Sequence, residues 1–232
     1  ALPISSAARG LELGCYRGAH RRPTVPNHVL ITGAAGFIGS TLSRRLLEDG
    51  HRVTGLDAFV EPYPRARKER NVAGLTAHPA FRLVRGDIRD VAALDAAMQG
   101  DPPDVVVHLA ALAGVRASLQ RPDDYTDVNI TGTTRLLEAM RRYGVGRMVF
   151  ASSSSVYGAR RDPPFREDDN VELAASPYAA TKRAGEQLCA TWHYLYGIQS
   201  TCLRFFTVYG PRQRPDMAIH KFARCISEGR PV

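Results

Sequence analysis

The chain has 232 residues, of which 44% are hydrophobic and 23% are charged, a composition typical of a globular protein with one substantial domain and room for the start of another. No apolar stretch approaches the roughly 20 residues that a membrane-spanning helix needs, so we expect no membrane contact. The net charge of +8 would suit a nucleic acid, but the arginines are spread along the chain, and we expect no nucleic-acid partner.

From His28 onward, segments with the pattern of buried strands alternate with segments of helical spacing. We predict strands at Val29–Thr32, Arg52–Leu56, Phe81–Val84, Val105–Leu109, Met148–Ala151 and Ser200–Phe206, and helices at Ile38–Glu48, Asp123–Tyr143 and Pro177–Tyr196. Continuously apolar strands that alternate with helices indicate a parallel sheet covered on both faces. The predicted fold class is therefore α/β, a doubly wound (Rossmann) parallel sheet, spanning residues 28–210.

The two ends differ from this pattern. Residues 1–27 have no initiator methionine and no periodicity, and their arginine-bearing, acid-poor composition is compatible with a transit peptide, a disordered extension or non-native sequence. At the other end, a helical segment over residues 222–229 has just begun when the sequence stops. We predict that residues 211–232 are the start of a truncated C-terminal substrate-binding domain.

The cysteines are scattered, with no Cys-x-x-Cys pair and no histidine at ligand spacing; they are Cys15, Cys189, Cys202 and Cys225. We therefore expect no metal site and no disulfide framework, which is consistent with a reducing, cytoplasmic location.

A glycine-rich loop, Gly33-Ala-Ala-Gly36-Phe-Ile-Gly39, joins the first predicted strand to the first helix. Glycines there let the turn tighten and let the backbone approach a pyrophosphate at the helix N-terminus. Asp57 ends the second strand, where a carboxylate accepts hydrogen bonds from an adenosine ribose and repels a 2′-phosphate. The pattern predicts a dinucleotide site that prefers NAD to NADP. The basic run Arg65–Lys68 lies either on a solvated surface or near an anionic ligand.

Short segments after the third and fourth strands are further candidates. Asp87 and Ile88 would meet the adenine or form only a turn, and Leu109, Ala110 and Ala111 would let the cofactor lie close to the backbone or serve only tight packing.

Tyr178 and Lys182 are four residues apart in a predicted helix, so both side chains lie on one helix face. An ammonium near a phenol favours the phenolate, and we predict that Lys182 lowers the pKa of Tyr178 below its ordinary value of about 10. Such a tyrosine can act as a general base near neutral pH. The serines Ser152–Ser155 follow the fifth strand, at the edge where open α/β sheets bind ligands, although such hydroxyl clusters also cap turns.

Five motifs in order give the chain a resemblance to a known family. They are Gly33-Ala-Ala-Gly-Phe-Ile-Gly39, His108-Leu-Ala-Ala-Leu-Ala-Gly-Val-Arg116, Ser152-Ser-Ser-Ser-Val-Tyr-Gly158, Tyr178-Ala-Ala-Thr-Lys182 and Arg204-Phe-Phe-Thr-Val-Tyr-Gly-Pro211. The chain resembles the extended short-chain dehydrogenases/reductases of the nucleotide-sugar epimerase/dehydratase family from about His28 to its end.

The resemblance implies residue roles. Tyr178 would be the base, Lys182 its electrostatic and ribose-binding partner, and Ser153 the hydroxyl that orients the sugar O4. NAD would take the C4 hydride and return it to the other face of the sugar. The implied cofactor-binding residues are Gly33, Gly36, Phe37, Ile38, Gly39, Asp57, Asp87, Ile88, Leu109, Ala110, Ala111, Asn129, Tyr178 and Lys182. The family also implies a UDP-sugar substrate and a homodimer.

The substrate is narrowed by two departures from other branches of the family. Related 4,6-dehydratases have an Asp-Glu pair where this chain has Ser154-Ser155, and related decarboxylases have a glutamate at the second position, so the resemblance implies plain epimerisation. The run through Thr207 and Arg214 is similar to that of UDP-glucuronate 4-epimerases, whereas UDP-galactose 4-epimerases have an asparagine at position 207. Arg116 and Ser118 would add substrate contacts. UDP-glucose epimerisation and a non-catalytic NAD sensor or scaffold remain the alternatives.

Overall fold

The computed structural model describes residues 27–60, 64–160, 163–215 and 217–232. Six strands form one sheet: β1 (His28–Thr32), β2 (Arg52–Asp57), β3 (Phe81–Arg85), β4 (Val105–His108), β5 (Arg147–Ser153) and β6 (Gln199–Phe205). The helices are α1 (Phe37–Glu48), α2 (Arg65–Thr76), α3 (Val91–Met98), α4 (Val115–Gln120), α5 (Pro122–Thr126), α6 (Gly132–Arg142), α7 (Pro177–Tyr196) and α8 (Ala218–Ser227). A π-helical turn (Asp127–Thr131) joins α5 to α6, and a 3₁₀ turn (Ser154–Tyr157) follows β5.

The sheet is parallel throughout, in the order β3-β2-β1-β4-β5-β6. Because the chain winds outward in one direction from β1 and then in the other from β4, the strand order reverses between these two strands. A cleft opens at the carboxyl ends of the strands at such a reversal. The predicted doubly wound fold is confirmed.

Two apolar layers cover the sheet. One layer, centred on Val29, Ile31 and Val53, packs under α1 and α2. The other, centred on Leu30, Val106 and Phe150, packs under α3, α6 and α7. Strands that are apolar on both faces are therefore buried on both faces, as their sequence predicts.

Local signals account for the helix ends. In α7, the Ser176 hydroxyl accepts a hydrogen bond from the Ala179 backbone N–H at 3.1 Å, Pro177 occupies the first turn, and Gly197 ends the helix in the left-handed region (φ 72°). These are the residues that helix termini favour. By contrast, α2 was not predicted, because its charged sequence carries only Val72 and Leu75 as buried apolar side chains.

The domain boundaries stay predictions. Residues 1–26 lie outside the described residues, so the structure does not address the expected N-terminal extension. For residues 211–232, the structure gives α8 with an exposed apolar stripe of Ile219, Phe222 and Ile226. None of the helices among the described residues combines the length and the apolar character that crossing a membrane requires.

Candidate active site

A cavity of about 600 Å³ opens at the carboxyl ends of the strands. It brings together residues that are far apart in sequence and that the motifs had singled out. The lining includes the predicted site residues Gly33, Gly36, Phe37, Ile38, Gly39, Asp57, Asp87, Ile88, Leu109, Ala110, Ala111, Ser153, Tyr178, Lys182, Thr207 and Arg214. The remaining predicted residues, Arg116, Ser118 and Asn129, are described by the structure but do not line this cavity.

The glycine-rich loop forms a tight turn between β1 and α1. Gly33 has φ +73°, and a Cβ on Gly39 would lie 2.3 Å from the Gly33 carbonyl oxygen. Gly36 caps α1 with no side-chain hydrogen bond, and no acidic residue stands in the helix's first turn. The backbone N–H groups and the positive end of the α1 dipole therefore face the cavity, which fits the pyrophosphate of a dinucleotide.

Asp57 lies at the end of β2 with its carboxylate buried. One oxygen (Oδ1) accepts hydrogen bonds from the Phe59 N–H and from Lys68 Nζ, both at 2.8 Å, and the other (Oδ2) accepts one from the Ala35 N–H at 3.0 Å. Lys68, itself buried, belongs to the basic run Arg65–Lys68 and lines the cavity. The sequence showed the basic run but not this ion pair, because α2 was not predicted and nothing indicated that Lys68 would lie beside Asp57.

Asp87 is held in place by its neighbour Arg89. The Asp87 carboxylate accepts bonds from the Arg89 backbone N–H (2.8 Å), Nε (2.9 Å) and Nη2 (2.7 Å), and these contacts hold the pKa of Asp87 below its ordinary value. Ile88 is buried against Gly132, where a Cβ would come within 2.5 Å of its side chain. The segment is thus fixed at the cavity edge before any ligand arrives.

Ser153 and Tyr178 both line the cavity. Ser153 ends β5, and its hydroxyl accepts a hydrogen bond from the Ser155 backbone N–H at 3.1 Å. Tyr178 stands in the first turn of α7, where its ring contacts Tyr125 edge-on at a centroid distance of 6.1 Å. The Ser153 hydroxyl also donates to the Ser155 hydroxyl at 3.1 Å, and its interaction with the Tyr178 phenol acts to lower the pKa of that phenol. A phenol and a serine hydroxyl therefore line the same cavity.

The predicted effect of Lys182 on Tyr178 is wrong. Burial raises the pKa of Tyr178 above 10, and only the hydrogen bond with Ser153 and the positive charge of Arg214 act in the opposite direction. Lys182 Nζ donates instead to the Ala151 carbonyl at 2.7 Å and lies 6.0 Å from the Tyr178 ring centroid. Burial also lowers the pKa of Lys182 to about 8. The spacing placed both side chains on one helix face but could not show their burial.

Asn129 lies behind the cavity wall, in the π turn. Its Oδ1 accepts from the Leu112 N–H at 2.8 Å, and its Nδ2 donates to the Leu112 carbonyl and to the Thr181 hydroxyl, each at 3.0 Å. Both amide hydrogens are thus used within the protein. The contacts tie the chain after β4 to α7, one residue before Lys182.

Arg116 and Ser118 are both carried by α4. Arg116 is exposed, whereas Ser118 is fully buried and donates its hydroxyl to the Val115 carbonyl at 2.7 Å. Their substrate contacts stay a prediction.

Arg214 reaches across the cavity from the chain after β6. Its Nη1 donates to the Ala113 carbonyl at 2.9 Å and its Nη2 lies 3.5 Å from the Met217 sulfur. Thr207 is exposed on the same side of the cavity. Phe206, which the motif analysis did not single out, also lines the cavity and stacks on Tyr157 at 6.3 Å. The segment after β6 therefore offers a hydroxyl, a guanidinium and an aromatic face.

His108 ends β4 in a buried chain of hydrogen bonds. Its Nδ1 lies 2.7 Å from the Thr32 hydroxyl and its Nε2 lies 3.0 Å from the Thr133 hydroxyl. The Thr133 hydroxyl donates to the Asn129 carbonyl at 2.6 Å, so it accepts from His108 Nε2. The Thr32 hydroxyl accepts from the Ala110 N–H at 3.1 Å and donates to Nδ1. These partners fix the neutral imidazole with its hydrogen on Nε2.

This histidine predicts a loss of stability in acid. Burial, assisted by the charge of Lys182, lowers the pKa of His108 to about 3, whereas an unfolded histidine has a pKa of about 6.5. Between these values the unfolded chain binds a proton that the folded chain does not, so stability falls as pH decreases from about 6.5 towards 3. At pH 4.5 we expect a loss on the order of 2 to 3 kcal/mol from this group.

Urea denaturation at pH 7 and pH 4.5 measures this loss. The His108→Gln variant should lose less stability between the two pH values than the unsubstituted chain, and the exposed His193→Gln on α7 controls for removal of an imidazole. Equal losses in the unsubstituted and His108→Gln chains would contradict the assignment.

Possible metal ligands were compared with the side chains that line the cavity. Within the described ranges, no group of three or more histidine, cysteine, aspartate or glutamate side chains could hold a metal ion. The polar side chains of the cavity include hydroxyls, a phenol, the carboxylates of Asp57 and Asp87, two ammonium groups and a guanidinium, which suit an organic ligand with ribose and phosphate groups.

Comparison with known proteins gives a consistent result. The family model described as NAD dependent epimerase/dehydratase matches residues 29–232. The chain is 44% identical over 205 residues to UDP-glucuronate 4-epimerase of Thermodesulfobacterium geofontis (strain OPF15), an alignment that covers 88% of this chain and 63% of the relative. The chain therefore spans less than two thirds of that relative's length.

Two solved structures extend the comparison. UDP-glucuronic acid 4-epimerase from Bacillus cereus, in complex with UDP-glucuronic acid and NAD, superposes with a TM-score of 0.80 at 41% identity and covers 88% of this chain and 64% of its own. UDP-glucose 4-epimerase from Thermus thermophilus, in complex with NAD, gives 0.79 at 35% identity, with coverage of 88% and 64%. Fold, motif order and family model agree, and the chain belongs to the NAD dependent epimerase/dehydratase family.

Proposed function

We propose that the chain catalyses, as part of its protein, the NAD-dependent 4-epimerisation of UDP-glucuronate to UDP-galacturonate. The observation that carries the proposal is one cavity lined by the glycine loop, Ser153, Tyr178 and Lys182. Ser154 and Ser155, where related dehydratases have two carboxylates, begin the 3₁₀ turn after β5 and also line the cavity. A proton and a hydride can be exchanged at C4 here, while elimination lacks its acid and base.

Several groups of the cavity fit NAD. The start of α1 would hold the pyrophosphate, Asp57 the adenosine ribose, and Asp87 and Ile88 the adenine. Lys182 would bind the nicotinamide ribose. When bound, NAD supplies a hydride acceptor and a cationic ring. A carboxylate at Asp57 disfavours a 2′-phosphate, but Lys68 at 2.8 Å offsets part of its charge.

The chemistry assigned to the chain's own residues centres on Tyr178. Its phenolate oxygen would take the proton of the sugar O4 and return it, while the Ser153 hydroxyl orients that oxygen. Because burial raises the pKa of Tyr178, the base form depends on the groups that lower it, the Ser153 hydrogen bond and the Arg214 charge. The positive charge of Arg214 would thus lower the pKa of Tyr178 and also face the diphosphate of the substrate.

The choice of a uronate rests on the segment after β6. Thr207 would hold the sugar carboxylate, and two of the similar proteins described above are UDP-glucuronate 4-epimerases. The Thermus relative, a UDP-glucose 4-epimerase, supports a neutral sugar as the competing substrate.

The proposal is tested by incubating the chain with NAD and either UDP-glucuronate or UDP-glucose and separating the products by anion-exchange chromatography. We expect UDP-galacturonate from the first sugar at a rate at least tenfold above conversion of the second. Calorimetry with NAD and with each UDP-sugar measures binding separately. Faster conversion of UDP-glucose would assign the competing substrate, and a whole protein that binds both ligands but converts neither sugar would be a binding protein. The homodimer and the cytoplasmic location stay predictions.

A further inference from the structure

A buried carboxylate, Glu186, joins three parts of the candidate active site. Its Oε1 accepts hydrogen bonds from the Ser152 hydroxyl at 2.6 Å and from Arg204 Nε at 3.0 Å. Its Oε2 accepts from Arg204 Nη2 and from Arg183 Nη1, each at 3.0 Å. The carboxylate therefore has two donors on each oxygen, and the Arg204 contact has the two-bond geometry that fixes orientation as well as distance.

The strand register makes these contacts relevant to the site. In the β5–β6 ladder Ser152 lies opposite Arg204, and Ser153 lies opposite Phe205. The residue after Ser152 thus carries the hydroxyl assigned to the sugar O4. Three residues after Arg204 comes Thr207, which is assigned to the sugar carboxylate.

The helix spacing supplies the third connection. Glu186 lies one turn after Lys182 and two turns after Tyr178 on α7, so it stands on the same face as both. One side chain consequently links the helix of the base to the ends of the two strands that carry the substrate-facing hydroxyls.

The cationic partner is also fixed. Arg204 Nη1 donates to the Glu167 carbonyl at 3.1 Å, and the guanidinium carbon lies 4.9 Å from the centroid of the Tyr157 ring. Tyr157 and Phe206 both stack on Phe165, at 5.0 and 6.0 Å. Burial alone would raise the pKa of Glu186, but hydrogen bonds from Arg204 and Ser152 hold it below its ordinary value. The carboxylate is therefore ionised, and each partner is held by several hydrogen bonds.

We propose that the Glu186–Arg204 pair is a positioning device, which contacts neither substrate nor cofactor and sets the distances between Ser153, Tyr178 and Thr207. The proposal rests on the proposed function for the roles of those three residues. A buried ion pair adds little net stability, because the cost of removing both charges from water offsets their attraction. Misplacement of a reacting group by about 1 Å can cost on the order of a hundredfold in rate.

The test compares Glu186→Gln with Glu138→Gln in the NAD-loaded chain. Glu138 is a matched control because its carboxylate also contacts both an arginine and α7. It accepts hydrogen bonds from Arg141 Nη2 and from Trp192 Nε1, each at 3.0 Å, and Trp192 lies at the far end of α7 from Tyr178. Hydrogen–deuterium exchange of residues 203–210 and 151–157 measures the positioning directly. The pH profile of kcat measures its effect on Tyr178.

For Glu186→Gln we expect exchange of both segments to rise about tenfold and kcat to fall between tenfold and a hundredfold. Looser contact with Ser153 should also raise the pKa of Tyr178, so the acidic limb of the profile, along which Tyr178 loses its proton, should move to higher pH by about half a unit. Arg204→Lys keeps the charge but not the two-bond geometry, so it should give the same changes. Glu138→Gln should give none of them.

The outcomes separate the two proposals. If exchange in the two segments is unchanged in Glu186→Gln, or if Arg204→Lys behaves as the unsubstituted chain, the positioning role is refuted. If the unsubstituted chain turns over no sugar while exchange rises as expected, the positioning role holds and the proposed function fails. Should Glu186→Gln not fold, Ser152→Ala, which removes only one donor to Glu186, must still raise exchange at residues 151–157, and no rise refutes the role.

Discussion

Replacing Tyr178 by phenylalanine should reduce turnover of UDP-glucuronate by about 1,000-fold, within the range found when a positioned general base is lost. The substitution removes one oxygen and leaves the ring contact with Tyr125 in place. The affinity for NAD, measured by calorimetry, should stay within about threefold, since Lys182 keeps its bond to the Ala151 carbonyl. The loss should appear in kcat rather than in KM.

Tyr194→Phe is the matched control for this prediction. Tyr194 lies on the same helix, α7, with 87% of its surface exposed, so removal of its hydroxyl should leave turnover unchanged. A Tyr178→Phe variant that retained more than a tenth of the original kcat would show that another group accepts the proton.

Replacing Gly39 by alanine should lower the affinity for NAD at least tenfold and destabilise the fold by about 3 kcal/mol or more. The added Cβ would stand 2.3 Å from the Gly33 carbonyl oxygen and 2.9 Å from the Ala34 Cα. Both neighbours are backbone atoms, so α1 or the loop must move. That movement displaces the N–H groups assigned to the pyrophosphate. Urea denaturation and calorimetric titration with NAD measure the two effects.

Gly74→Ala provides the control for the same chemical change. Gly74 lies within α2, and a Cβ there would meet no heavy atom within 4 Å. Alanine should stabilise the helix by about 0.5 to 1 kcal/mol and leave NAD affinity unchanged. Equal effects of the two substitutions would contradict the steric explanation.

The sequence predicted those parts of the fold whose signals are local. The bounds of α7, Pro177–Tyr196, follow from Ser176, Pro177 and Gly197. The hydrogen bonds that end the helix join residues only three or four positions apart, so the local sequence shows them. The strands were located within one or two residues. For β1, which is buried on both faces, the reason is that such runs are apolar throughout. The glycine loop was recognisable since its spacing reflects contacts within seven residues.

What failed depended on contacts between distant segments. The direction of the Tyr178 pKa shift is set by burial, and burial comes from the cavity walls rather than from the residue four positions away. The Glu186–Arg204 pair joins residues 18 positions apart, which no periodicity connects. Similarly, the ion pair of Lys68 with Asp57 could not be predicted without knowing that α2 packs beside the end of β2. The predicted helix over residues 123–143 was broadly right, but its composition gave no indication of the π turn.

That π turn, Asp127–Thr131, places one extra residue in the helical segment that runs from α5 into α6. A π turn holds one residue more than the α-helical turn that would replace it, so the helix before it and the helix after it are offset by about 100° in the direction that their side chains face. Asn129 thereby reaches Leu112 and Thr181 at once, while α6 keeps its own buried face. Deletion of a single residue between positions 127 and 131 should convert the π turn into an α-helical turn. The side chains of either α5 or α6 would then face away from the residues that they now contact. Insertions and deletions are therefore less well tolerated in this helical segment than in many loops. A redesign of the chain should keep the number of residues in the segment unchanged.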